Sequence, residues 1–182
     1  MSSSVASSSP AGKATGETRL AKLFGLHGDS WLRHAYPVSV WTRFAVLPLL
    51  AISIWSRDWI GWWSLVPIVL SLVFMMVNPM LFPKPRSTRN WASKGVFGEH
   101  VWSERNKVPV PAQYVSKVPN ATYAFQTVGL VIMVYGLVRL DLLATVSGVL
   151  ICQVAKAWYI DRMVLLYDDM KTRHAEYAAW EY

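Results

Sequence analysis

Charge is scarce in this chain. Asp, Glu, Lys and Arg together make up 16% of its 182 residues, against about a quarter in soluble domains. The shortfall sits in a few uncharged stretches long enough to cross a bilayer, which argues against an ordinary soluble domain. Cysteine is nearly missing: Cys152 stands alone, so an intramolecular disulfide and a cysteine zinc site are both excluded. Four histidines, His27, His34, His100 and His174, are too few for the histidine-rich di-iron sites of membrane hydroxylases and desaturases, although they suffice for one mononuclear centre. Acidic residues are outnumbered, 11 against 18 Lys and Arg, for a formal charge of +7. In a membrane protein that excess reports the cytoplasmic side rather than a nucleic-acid partner. What is plentiful is apolar, at 53% hydrophobic residues with ten Trp.

The order of segments predicts an all-α integral membrane protein with four transmembrane helices arranged as two hairpins. Residues 1–18, rich in Ser, Ala, Gly and Thr, read as a disordered tail that cannot offset its ordering entropy, and no apolar core of a signal peptide follows the start. Residues 19–38 read as an interfacial helical segment, with Leu20, Leu23 and Phe24 spaced helically opposite Arg19 and Lys22; a helix packed on a soluble loop is the alternative. Hairpin 1 covers 39–82. Its first arm, 39–56, carries Arg43 and Pro48, Arg57 and Asp58 mark the turn, and 59–82 is uncharged throughout. Residues 83–120 form a polar loop with five prolines, hairpin 2 covers 121–160 with its turn at Arg139 and Asp141, and 161–182 is a charged helical tail.

Two hairpins place both termini and the loop on one side. Those segments hold fourteen Lys and Arg, while the two turns hold only Arg57 and Arg139, so the positive-inside bias assigns tails and loop to the cytoplasm of a plasma or organelle membrane. Asn120-Ala121-Thr122 matches a glycan acceptor but falls on that same side and is expected to stay unmodified. Aromatic residues agree with the boundaries: Trp55, Trp59, Trp62 and Trp63 gather at the first turn, and Trp41, Tyr123, Trp158 and Tyr159 near the opposite face.

Few residues offer chemistry. Lys156 and Arg43 each lie about one turn inside the cytoplasmic boundary, and a Lys at bilayer depth costs roughly 2.5 to 3.5 kcal/mol. Snorkelling to the interface explains Lys156 without function. The functional reading takes Arg43, Lys156 and Arg162 as ligands for the anionic head of a membrane lipid or other amphiphile. Asp161 and Asp168, like Arg162 and Asp169, are seven apart and share a stripe on a helix; a solvated face accounts for them as well as Mg²⁺ held against a diphosphate does. In the loop, His100 and Glu104 are four apart and suit acid and base work, with Glu99, Asp161, Asp168 or His174 as further candidates. The reading expected for this stretch is instead a surface or interfacial helix of the central loop that Trp91, Phe97 and Trp102 dock to the membrane. The sequence names no metal site and no cofactor.

Other features read as architecture. Ala144, Gly148 and Cys152 recur every four residues, the small-residue stripe that lets membrane helices approach closely; it serves either a neighbouring helix of this chain, a protein partner or a second copy. Gly129 and Gly136 do the same on the third helix. Pro48 and Pro67 are expected to bend helices, Asn78-Pro79 to end the second, and Ser64, Ser71, Gln126 and Gln153 to hydrogen-bond between helices. The run from His34 to Phe44 (HAYPVSVWTRF), with Asn78-Pro79, Asn90-Trp91-Ala92-Ser93-Lys94-Gly95, Glu99 and Asp161-Arg162-Met163, resembles an uncharacterised family of small integral membrane proteins over about residues 29–170. The resemblance implies a multi-span membrane protein and no particular reaction. Three function classes stay open: a lipid or metabolite binder or enzyme using the cytoplasmic mouth, an accessory subunit of a larger membrane complex, and an oligomeric channel or transporter.

Overall fold

The computed structural model describes residues 30–115 and 118–182, so the expectations for 1–18 and 19–29 lie outside the described residues. Among those residues the chain is helical and has no strand. α1 is Ser30–His34, α2 Pro37–Trp55, α3 Arg57–Ile60, α4 Leu65–Leu81, α5 Trp91–Ser103, α6 Val118–Arg139, α7 Leu142–Arg173 and α8 Ala175–Ala178, with a 3-10 turn at Gly61–Ser64. Pro37 opens α2 at a position where its missing N–H leaves nothing unsatisfied. Asn90 caps α5 by accepting from the Ser93 amide at 2.9 Å, and Asp141 caps α7 by accepting from the Ala144 amide at 2.9 Å.

Three stretches, not four, are long and apolar enough to cross a membrane: Pro37–Leu81, Pro119–Arg139 and Leu142–Arg173. The expected first turn is itself helical, so Pro37–Leu81 is a nearly continuous run of 45 residues. It folds back on itself. Ser39 Oγ donates to Asn78 Oδ1 at 2.7 Å, Asn78 Nδ2 donates to Thr42 Oγ1 at 2.8 Å, the Ser53 and Ser71 hydroxyls stand 3.5 Å apart, and the Tyr36 and Phe82 rings stack at 5.5 Å. The returning arm α4 has only 17 residues, about 26 Å of helix against a hydrocarbon core of about 30 Å. It also runs through Pro79 to Leu81 instead of ending at Asn78; the buried Asn78 amide, held by Ser39 and Thr42, secures that last turn.

α6 and α7 form a tighter hairpin. A Cβ on Gly129 would press on Cys152, one on Gly136 on Thr145, and one on Gly148 on Met133, so the two backbones touch wherever a glycine permits it. Between them Leu140 takes a left-handed φ of 54°. The Arg57 guanidinium donates to the Leu137 and Val138 carbonyls, which joins the two hairpin turns at one end. Trp59, Trp62 and Trp63 surround that end, 70%, 87% and 76% exposed, as amphipathic rings in a headgroup layer would be.

At the other end α7 runs on past Ile160 to Arg173, 32 residues in all and about 48 Å, well beyond a bilayer core. α5 packs along this extension. The loop helix is therefore not the surface-lying element expected from Trp91, Phe97 and Trp102: Ala92, Ser93, Gly95, Val96, Phe97, Gly98 and Val101 are all buried, Phe97 to 2% exposure. The reason is its small-residue face, where Gly95 and Gly98 lie against Ile160 and Met163 of α7. Phe97, Val101, Met163, Leu166, Tyr167 and Met170 make a water-excluding core of the soluble kind. The chain end closes over it. Thr88 Oγ1 donates to the Trp180 carbonyl at 2.8 Å, the Tyr182 amide donates to Thr88 Oγ1 at 2.8 Å, and Lys171 pairs with both Asp168 and Glu181.

Candidate functional site

Where α2, α5 and α7 meet, a cavity of about 50 Å³ is lined by Arg43, Glu99 and Lys156, with Val40, Phe44, Ala92, Val96 and Ile160 as its apolar walls. Each helix supplies one charged group, and each is there because of how its helix is docked. Arg43 is anchored by its own chain: Nη2 donates to the His34 carbonyl at 2.8 Å and Nε to the Ser39 carbonyl at 3.2 Å. Gln153 Nε2 donates to the Phe44 carbonyl at 2.6 Å and ties α7 to α2 one turn below Lys156. Glu99 is set by Gly95 and Gly98, whose lack of a side chain lets α5 lie directly on α7.

Lys156 turns into this junction. Its Nζ lies 3.4 Å from the Arg43 carbonyl and 4.5 Å from the centre of the Phe44 ring, contacts that hold an ammonium weakly through a carbonyl dipole and an aromatic face. Glu99 faces both cations, and among the described residues its carboxyl has no direct hydrogen bond or ion pair. Burial pushes that carboxyl above the usual carboxylate range, and Arg43 and Lys156 pull it only partly back. Among the described residues the junction thus holds two cations against one carboxyl.

The remaining sequence candidates are elsewhere. Arg162 pairs with Asp161 at 3.2 Å, Asp161 also accepts from Trp91 Nε1 at 3.4 Å, and neither lines the cavity. Asp168 is held between Lys94 at 2.9 Å and Lys171 at 2.7 Å. His100 Nε2 is 3.8 Å from Glu104, whose other oxygen pairs with Lys107 at 3.1 Å, and neither Asp161 nor Asp168 joins them. Among the described residues no three His, Cys, Asp or Glu side chains gather as metal ligands would. The Ala144, Gly148 and Cys152 stripe is occupied within the chain: Gly148 lies on Met133, and Cys152 is buried with its Sγ 3.4 Å from the Gln126 carbonyl.

His100 has a structural setting of its own. Its ring stacks on Trp180 at 5.0 Å with 3° between planes, and Trp180 stacks in turn on Tyr167. Burial pushes the imidazole below its usual value; Glu104 and Glu176 pull it up and Lys107 down. A depressed histidine contributes stability that is whole above the unfolded value of about 6.5 and is lost as pH falls through the folded one. Between about pH 7 and pH 5 the thermal midpoint of the wild type should therefore drop relative to His100→Gln, read by far-ultraviolet circular dichroism. Parallel profiles for the two proteins would show that His100 carries no such linkage.

Nothing in the sequence alone ties Gly95 and Gly98 to this site. Their spacing, three residues apart beside Ala92, is a close-packing signal, but it has meaning only once the partner helix is known.

Helical hairpins, three stretches able to cross a membrane and a charged junction at one end define an all-helical membrane protein. The family model described as a family of unknown function (DUF6653) matches residues 15–181, and the chain belongs to that family. No curated protein and no solved structure matches it.

Proposed function

We propose that this protein binds an anionic amphiphile along the α2/α7 seam, with the headgroup at Arg43 and Lys156 and the apolar chain between the hairpins. The observation that carries the reading is the surplus of positive charge on one cavity at the edge of the apolar segments. Groups of like sign are not gathered at a membrane boundary without a counter-charge at reasonable cost, and among the described residues the one carboxyl there leaves a cation over. At about 50 Å³ the cavity has room for one to three waters, so it takes in headgroup oxygens rather than a whole headgroup.

The apolar part has a place on the same seam. Toward the hairpin turns, α2 and α7 diverge around a cleft of about 540 Å³ whose walls include Pro48, Ile52, Trp55, Val146 and Leu150. From Lys156 down to Val146 is about 15 Å of helix, a run suited to an acyl chain. Among the described residues nothing polar at the junction is arranged as a nucleophile with its base, so binding is favoured over catalysis. Under this reading hairpin 1 enters and leaves from one side, and both ends of the described chain, with α5, face the cytoplasm.

Lys156→Met tests the proposal. Protein purified in mild detergent and moved into nanodiscs of phosphatidylcholine with phosphatidylglycerol should retain phosphatidylglycerol on native mass spectrometry. The variant should lose that retention by about tenfold or more, as expected for one charge-assisted contact of about 1.4 kcal/mol. Equal retention by wild type and variant would remove the site.

A further inference from the structure

We infer that Glu99 is the built-in counter-anion of this junction, and that an arriving anionic headgroup displaces it from Arg43 and Lys156 while the displaced carboxyl takes up a proton from water. The inference rests on the binding site proposed above and concerns its control. A structural ion pair would be closed by hydrogen bonds, as Asp168 is by Lys94 at 2.9 Å and Lys171 at 2.7 Å. Glu99 instead shares a cavity with two cations and, among the described residues, bonds directly to neither. Arg43 already spends two of its donors on the His34 and Ser39 carbonyls, and among the described residues Lys156 has only a carbonyl at 3.4 Å and a ring face. The carboxylate is therefore a loosely held placeholder, within reach of the cations by charge alone.

Charge balance then dictates the exchange. Two cations and an ionised Glu99 leave one positive charge, and a monoanionic phosphodiester neutralises it. The ligand cannot sit on both cations without standing close to the Glu99 carboxylate, and two anions in one desolvated space repel. Protonation removes the repulsion, and burial already biases Glu99 in that direction. Each charged group facing Glu99 belongs to a neighbouring helix: Arg43 comes from α2 and Lys156 from α7. From α1, His34 meets the junction through its backbone carbonyl, which Arg43 holds. Binding and protonation are then reciprocal: lower pH tightens the headgroup, and the headgroup raises the proton affinity of Glu99.

The test uses the full chain in nanodiscs of phosphatidylcholine with a titrated fraction of phosphatidylglycerol, a phosphodiester whose own charge is constant across the range. Wild type should bind phosphatidylglycerol at least about tenfold more tightly at about pH 6 than at about pH 8, within the ceiling of about tenfold per pH unit that a single linked proton sets. Glu99→Gln, uncharged at every pH, should bind at both values as tightly as the wild type does at the lower one. The wild-type profile needs no variant, so a misfolded Glu99→Gln would not leave the question open: pH-independent wild-type binding overturns the inference. So does a Glu99→Gln profile that follows the wild type while Lys156→Met has lost binding, in which case the site stands and only the displacement fails. Binding that survives Lys156→Met unchanged would instead take away the underlying site.

Discussion

Gly98→Ala should undo the docking of α5 on α7 and with it the charged junction. A methyl at this position falls on the Met163 carbonyl group, with Met163 Cβ only 2.8 Å away. The obstruction is helix backbone, which no rotamer change can clear, so the two helices must part by about an ångström. Overpacking of a core costs about 1 to 3 kcal/mol and at times more, and a backbone collision belongs at the upper end of that range. Alanine returns about 1 kcal/mol through its helix propensity, leaving a net loss of about 2 kcal/mol. Gly95→Ala is the comparison. Its added methyl falls on Cγ2 of the buried Ile160, with Ile160 Cβ at 3.7 Å. A β-branched side chain is nearly fixed at χ1 on a helix, so this variant also loses stability, but less than Gly98→Ala because side chain rather than backbone obstructs it. Thermal unfolding followed by far-ultraviolet circular dichroism should show a larger loss for Gly98→Ala than for Gly95→Ala. Equal midpoints for both variants would mean that α5 is not seated on α7 through Gly98.

Part of this fold is legible in the sequence. Charge interrupting apolar runs marks Arg57-Asp58 and Arg139 to Asp141 in the sequence; the chain reverses through Leu140 at the second, and at the first it reverses over 57–64 through a short helix and a 3-10 turn. The stripe at Ala144, Gly148 and Cys152, with Gly129 and Gly136, announces close helix approach, and α6 meets α7 along it. What was not legible depends on partners far away in sequence. Whether residues 57–64 break a helix or continue it is decided by local backbone geometry that composition does not encode, and so four spans were expected where three stretches qualify. The fate of α5 was hidden for a related reason. Its residues are neither strongly apolar nor periodic, because it is buried on several sides by α7, α1 and the closing chain end. Of the candidate site, Arg43, Lys156 and Glu99 could be singled out as unusual residues, but only folding reveals that they share a cavity while Arg162 and Asp161 pair with each other.

Gly148→Leu is expected to have the second large effect, by a different route. A side chain here meets the backbone of Met133, whose Cα is 2.6 Å from the first added carbon, and the Gly129 carbonyl at 2.7 Å. In lipid no hydrophobic force draws helices together, so close packing carries the association of α6 with α7. Losing it should separate two intact helices rather than unfold them. Helix content by far-ultraviolet circular dichroism should therefore hold steady while the hairpin opens. Cys152 reports the opening without any engineered label, since it is the single cysteine and is buried against the Gln126 carbonyl. A penalty of about 3 kcal/mol shifts the open population by roughly a hundredfold, and the rate of Cys152 modification by a membrane-permeant maleimide should rise with it. An unchanged labelling rate in Gly148→Leu would mean that the glycine face is not what holds this hairpin shut. Because Gln153 and Lys156 reach α2 from the same helix, one to two turns further on, an opened hairpin should also loosen the Arg43 and Lys156 junction, and phosphatidylglycerol retention should fall in step with the labelling rate.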